Sequence, residues 1–73
     1  MTREKAESLV APHIFRVKQY QAVSHADAKM LLGGEWFDKL LRDRIRCLGP
    51  TSDTIYPWNV ADALQLQDME GPV

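Results

Sequence analysis

The chain is short of most of the residues that announce a chemistry. It has one cysteine, Cys47, in 73 residues, which excludes an internal disulfide and any disulfide-stapled fold. Cys47 is read as a small half-buried hydrophobe on a helix rather than as a nucleophile. The only imidazoles are His13 and His25. With Cys47 they stand in no zinc-ligand spacing, so no metal site is expected. The four glycines form no spaced run followed by a Lys that could cradle a phosphate. Nor is there a patterned nucleophile, base and orienting group, so catalytic residues and cofactors are read as none and the protein as not an enzyme. A run of about 18 apolar residues is missing, and "MTREKAESLVA" is charged where a signal peptide would be apolar. A cytoplasmic protein with no membrane partner is expected.

Bases are missing from one part of the chain. All nine Lys and Arg fall in residues 1–48 with six acids, leaving +3, whereas residues 49–73 hold Asp53, Asp62, Asp68, Glu70 and no base, leaving −4. A net charge of −1 makes the whole molecule no polycation, and any phosphate-facing surface must come from the first two thirds.

What is present is enough for one small folded domain. With 45% hydrophobic and 26% charged residues, the composition is that of a globular chain. Its length suits a single domain, 1–73, with a core of about a dozen side chains.

Thr2 is placed to cap a first helix over residues 2–11, with Glu4 in its first turn, and Pro12 ends or kinks it. "HIFRVKQYQAV" fits two patterns: Phe15 and Val17 alternate with Arg16 and Lys18 as in a strand, while Ile14, Val17 and Gln21 suit a helix. Ser24 with Asp27 forms a capping-box-like start to a helix from His25 to about Leu32. Gly33-Gly34 supplies a positive-φ corner. The next helix, Glu35 to Cys47, sets Phe37, Leu40, Leu41, Ile45 and Leu48 three or four apart until Gly49-Pro50 breaks it. "PTSD" reads as turn and "TIYPW" as β-prone. Asn59 then caps a last helix whose apolar side holds Val60, Ala63 and Leu64, and residues 67–73 form a frayed tail. Leu31, Leu32, Phe37, Leu41, Ile45 and Val60 are the expected shared core.

This order resembles the small winged-helix DNA-binding domains of the MerR, AlpA and excisionase type. The likeness covers residues 20–66 and rests on Val23, Ser24, Asp27, Ala28, Leu31, Leu32 and Gly33, then on "IYPWNVADAL", where an apolar strand end leads into a capped helix. The resemblance implies an α+β, mostly helical fold: a small winged helix-turn-helix, here with an extra N-terminal helix. It also implies that Glu35 to Cys47 enters the major groove, with Pro50 to Trp58 as the wing. A specific duplex in DNA recombination or transcription regulation would be the partner. Three features depart from the family pattern: Glu35 and Asp38 occupy the first turn of the second helix, the Pro50–Trp58 segment carries no base, and the corner between the helices differs by a residue.

Periodicity points to the same helix independently. With the apolar stripe turned inward, Lys39, Arg42 and Arg46 share the outward face and are the candidate DNA-binding residues; Arg44 projects elsewhere. Glu35 and Asp38, four residues before Lys39 and Arg42, are equally spaced to neutralise that face. Trp36, Trp58, Tyr20 and Tyr56 allow an alternative in which aromatic anchors make the chain a small adaptor or inhibitor, of the kind a phage encodes, that binds another protein. Oligomeric state, DNA target and host system are not legible.

Overall fold

A computed structural model describes residues 1–50 and 53–70. It is α+β and mostly helical, in a winged-helix-like layout preceded by an additional helix. The elements are α1 (Arg3–Val10), a single 3-10 turn (Ala11–His13), β1 (Ile14–Val17), β2 (Tyr20–Val23), α2 (His25–Leu32), α3 (Gly34–Leu48) and α4 (Pro57–Glu70). Among the described residues no helix is long and apolar enough to cross a membrane.

Local chemistry explains most of the boundaries. Thr2 accepts a hydrogen bond from the Lys5 N–H at 3.2 Å and starts α1; Ser24 does the same for α2 through Asp27 N–H, also at 3.2 Å. The Asp27 carboxylate turns to His13, 3.3 Å from Nδ1. In α4 the start lies two residues earlier than Asn59. Pro57 takes the first helical position, where its missing N–H costs nothing. Asn59 caps from inside the first turn, its Oδ1 accepting the Tyr56 N–H at 3.0 Å. That is the reciprocal arm of a capping box.

The ambiguous segment is a hairpin. β1 and β2 pair antiparallel, with Ile14 opposite Val23 and Val17 opposite Tyr20, so Lys18-Gln19 make a two-residue turn. Lys18 has φ +56°, the left-handed value that such turns favour in glycine. The segment expected as a wing, Pro50 to Trp58, forms no hairpin among the described residues. Thr51 and Ser52 lie outside the described residues, and the remainder meets the sheet only where Ile55 bridges Val23, whose N–H donates to the Ile55 carbonyl at 2.8 Å. Pro57 accounts for the shortness, because it begins a helix two residues beyond the bridge.

The core is built from small residues that let helices approach closely. Ala6, Val10, Val23, Ala28, Leu32, Phe37, Ile55, Val60, Ala61, Ala63 and Leu64 form one buried cluster. α1, unexplained by the sequence pattern, lays Ala6 and Val10 against α4. Arg3 then reaches across to Asp62 and to Gln65 Oε1, 3.2 Å away. Its pKa is raised, by the hydrogen bond to Asp62 first and that to Glu7 second. The residues expected to fray at 67–70 belong to α4, where the Met1 amine pairs with Asp68 and Gln67 Nε2 donates to the Leu32 carbonyl at 2.7 Å. That bond satisfies a carbonyl freed at the end of α2. Residues 71–73 lie outside the described set.

Three expected core positions differ. Leu31 and Leu41 are half-buried and packed against the cluster, and Ile45 is half-buried outside it. Farther along, Leu48 is 60% exposed and Cys47 is exposed rather than half-buried. Among the described residues, the apolar stripe of α3 is thus less covered toward its end.

Candidate nucleic-acid interface

α2 and α3 share a single corner residue. Gly33, at φ +86° and ψ +158°, donates to the Lys29 carbonyl at 2.8 Å to end α2 and accepts from Phe37 N–H at 3.0 Å to begin α3. Of the two glycines at the corner Gly33 alone has positive φ; Gly34 is the first residue of α3.

From that corner α3 runs for 15 residues, close to 22 Å at about 1.5 Å per residue. Phe37, Leu40 and Leu41 hold its first half to the core. The second half extends beyond.

Lys39, Arg42 and Arg46 are exposed on the side of α3 away from Phe37. The expected neutralising pairs are not formed. Among the described residues, no ion pair joins Glu35 to Lys39 or Asp38 to Arg42, and Arg42 and Arg46 have no carboxylate within 4.0 Å. Lys39 Nζ instead lies 4.6 Å from the centroid of the Trp36 ring, a cation–π contact. The face therefore carries three cations bordered by the exposed acids Glu35, Asp38 and Asp43.

Arg44 takes no place on that face. It is half-buried, with its guanidinium carbon 5.1 Å from the Tyr56 ring centroid. Tyr56 is in turn stacked on Trp58, with centroids 4.6 Å apart and planes 3° from parallel. Tyr20, the first residue of β2, meets Tyr56 edge-on at 6.0 Å. Arg44 Nε is buried with no hydrogen-bond partner among the described residues, a cost of about 1–3 kcal/mol that the surrounding rings offset.

This aromatic joint ties the tip of the hairpin to the second half of α3, which alternation in β1 and β2 alone cannot reveal. The hairpin tip is polar and basic, its Arg16, Lys18, Gln19 and Gln21 lining a shallow depression with Tyr20. Arg16 and Lys18 are exposed. The alternation of Arg16 and Lys18 with Phe15 and Val17 is legible in the sequence; that Lys18-Gln19 turns it back into a hairpin is not.

His25 is a surface residue as expected, its Nε2 donating to the Asp53 carbonyl at 2.6 Å and its ring standing edge-on to Phe37 at 5.5 Å. Among the described residues no group of three His, Cys, Asp or Glu side chains is placed to hold a metal. Comparisons with protein-family models, with curated proteins and with solved structures return no match for this chain.

Proposed function

We propose that the chain is a small non-enzymatic duplex-DNA-binding protein, an accessory or regulatory factor of the excisionase-like type. α3 would lie in the major groove and the β1–β2 hairpin on the backbone beside it. The observation that carries this reading is the state of Lys39, Arg42 and Arg46: exposed, on one face, and without carboxylate partners among the described residues although acids stand four positions away. Cations left unpaired on a protruding helix are available to phosphates and to guanine edges.

The hairpin supports the same reading. A wing without bases would be a poor companion to such a helix, but β1 and its turn carry Arg16 and Lys18, and the Arg44–Tyr56–Tyr20 contacts fix that tip relative to α3. Lys18 also holds a backbone conformation better suited to glycine. Strain of this kind is kept where a side chain is needed.

Lys18→Gly tests the point. A left-handed conformation costs a non-glycine residue roughly 1–2 kcal/mol, so the substitution should leave the unfolding midpoint unchanged or raised. Binding to duplex DNA should weaken all the same. Retained affinity in Lys18→Gly would remove the hairpin from the interface. Capture of a protein with no salt-sensitive DNA binding would replace the DNA reading with the adaptor reading.

A further inference from the structure

α3 and α4 leave between them a groove of about 330 Å³. Its floor is apolar, made by Trp36 and Leu40 from α3 and Ala63 and Leu66 from α4. The lining positions on α4 run from Asn59 to Glu70 at helical spacing, a trough about 16 Å long at 1.5 Å per residue. That is the length of three turns of a helix.

α4 does not confine its apolar residues to the core side. Val60, Ala61, Ala63 and Leu64 are buried, yet Leu66 is 50% exposed along the groove. A helix that is apolar beyond its covered face is suited to a second packing partner.

The charges on the rim say what kind. Asp43 on the α3 wall and Glu70 on the α4 wall have no ion-pair partner among the described residues, Asp62 is paired with Arg3, and Lys39, over the Trp36 ring, is the one base among the lining residues. These two carboxylates stand toward opposite ends of the apolar floor, since the end of α4 lies by the start of α3, where Gln67 meets Leu32, and its beginning by the second half of α3, where Tyr56 meets Arg44. Nucleic acid is repelled by such a rim.

We infer that this groove docks a cationic amphipathic helix of a protein partner, its apolar face on Trp36, Leu40 and Leu66 and its flanking Lys or Arg residues on Asp43 and Glu70. The contact is of the helix-in-groove kind, with position set by apolar anchors and orientation by charge. Leu66 and Glu70 lie outside α3, and peptide docking and DNA binding are read in separate measurements, so each can fail alone.

The test uses the full chain with Trp58→Phe, so that Trp36 is the fluorescent reporter, and a synthetic 16-residue peptide with Leu along one face and Lys on both flanks. A matched peptide with Glu for Lys is the control. The Lys peptide should shift Trp36 emission saturably, and the Glu peptide should bind at least tenfold more weakly. Reversal of the rim by Asp43→Lys with Glu70→Lys should invert that preference, and Leu66→Glu should abolish binding of the Lys peptide without altering the circular dichroism spectrum. Equal binding of the two peptides, an uninverted preference after charge reversal, or concentration-dependent self-association that protects Trp36 would each overturn the inference.

Discussion

At Gly33 the backbone takes φ +86° with ψ +158°, a combination outside the left-handed helical well and open essentially to glycine alone. A Cβ there meets nothing within 4 Å, so the demand is conformational rather than steric. Gly33→Ala should destabilise by about 1–3 kcal/mol. Gly34 is different, for it lies inside α3 and its added Cβ would meet only the flexible Lys29 Cε at 3.6 Å. Gly34→Ala should be neutral or stabilising by up to about 1 kcal/mol. A denaturant titration that showed the reverse order would mean that the corner turns at the other glycine. The caps make a second pair. Ser24→Ala removes the acceptor of Asp27 N–H and Asn59→Ala that of Tyr56 N–H, and each should cost about 0.5–2 kcal/mol. Unchanged midpoints in both would refute both helix starts. Such residues are legible in sequence because a cap acts within three or four positions of itself. Thr2, Ser24 and the glycine corner are readable for that reason, whereas Asn59 reads as the cap itself unless Pro57 is given the first helical position.

For whole elements, legibility stops where burial depends on something distant in the chain. Helical periodicity marks Phe37, Leu41, Ile45 and Leu48 as one stripe and does so correctly. It has no means of knowing that cover ends midway. Phe37 is 7% exposed, Leu41 half-buried, and Leu48 60% exposed. The cost of truncation should fall along the helix in that order: about 3–5 kcal/mol for Phe37→Ala, about 2 for Leu41→Ala, the low end for its type, and below about 1 for Ile45→Ala. Equal losses at Phe37 and Ile45 would show the second half of α3 to be packed. The hairpin has the same history. "HIFRVKQYQAV" satisfies both periods, and what selects the strand is the pairing of Ile14 with Val23 and of Val23 with Ile55, two contacts made in the folded chain only. The segment from Pro50 to Trp58 had strand propensity without room for a strand. α1 was legible as a helix but its purpose was not, since its partner α4 lies some fifty residues on.

For the molecule as a whole, charge is sorted by place rather than by sum. The acid-rich last third packs as α4 beside α3, where Asp62 and Glu70 share a groove with Lys39, while Arg42, Arg46 and the hairpin-tip cations Arg16 and Lys18 are exposed outside that groove. Periodicity places Lys39, Arg42 and Arg46 on the outward face, the complement of the inward one, whereas the position of the hairpin tip rests on the contact of Tyr20 with Tyr56, which no local pattern shows. The proposed interface counts five cations, Lys39, Arg42, Arg46, Arg16 and Lys18, and it makes a quantitative demand. Each phosphate neutralised on B-DNA releases counterions and adds about 0.9 to the magnitude of the slope of log affinity against log salt. The direct measurement is that slope, taken by fluorescence anisotropy on a labelled duplex for the unaltered protein and for Arg42→Ala with Arg46→Ala. A slope of up to roughly 4.5 in magnitude for the former, reduced by up to about 1.8 in the double variant at an unchanged unfolding midpoint, is the predicted result. Binding that ignores salt, or the same slope with and without those two arginines, would contradict it.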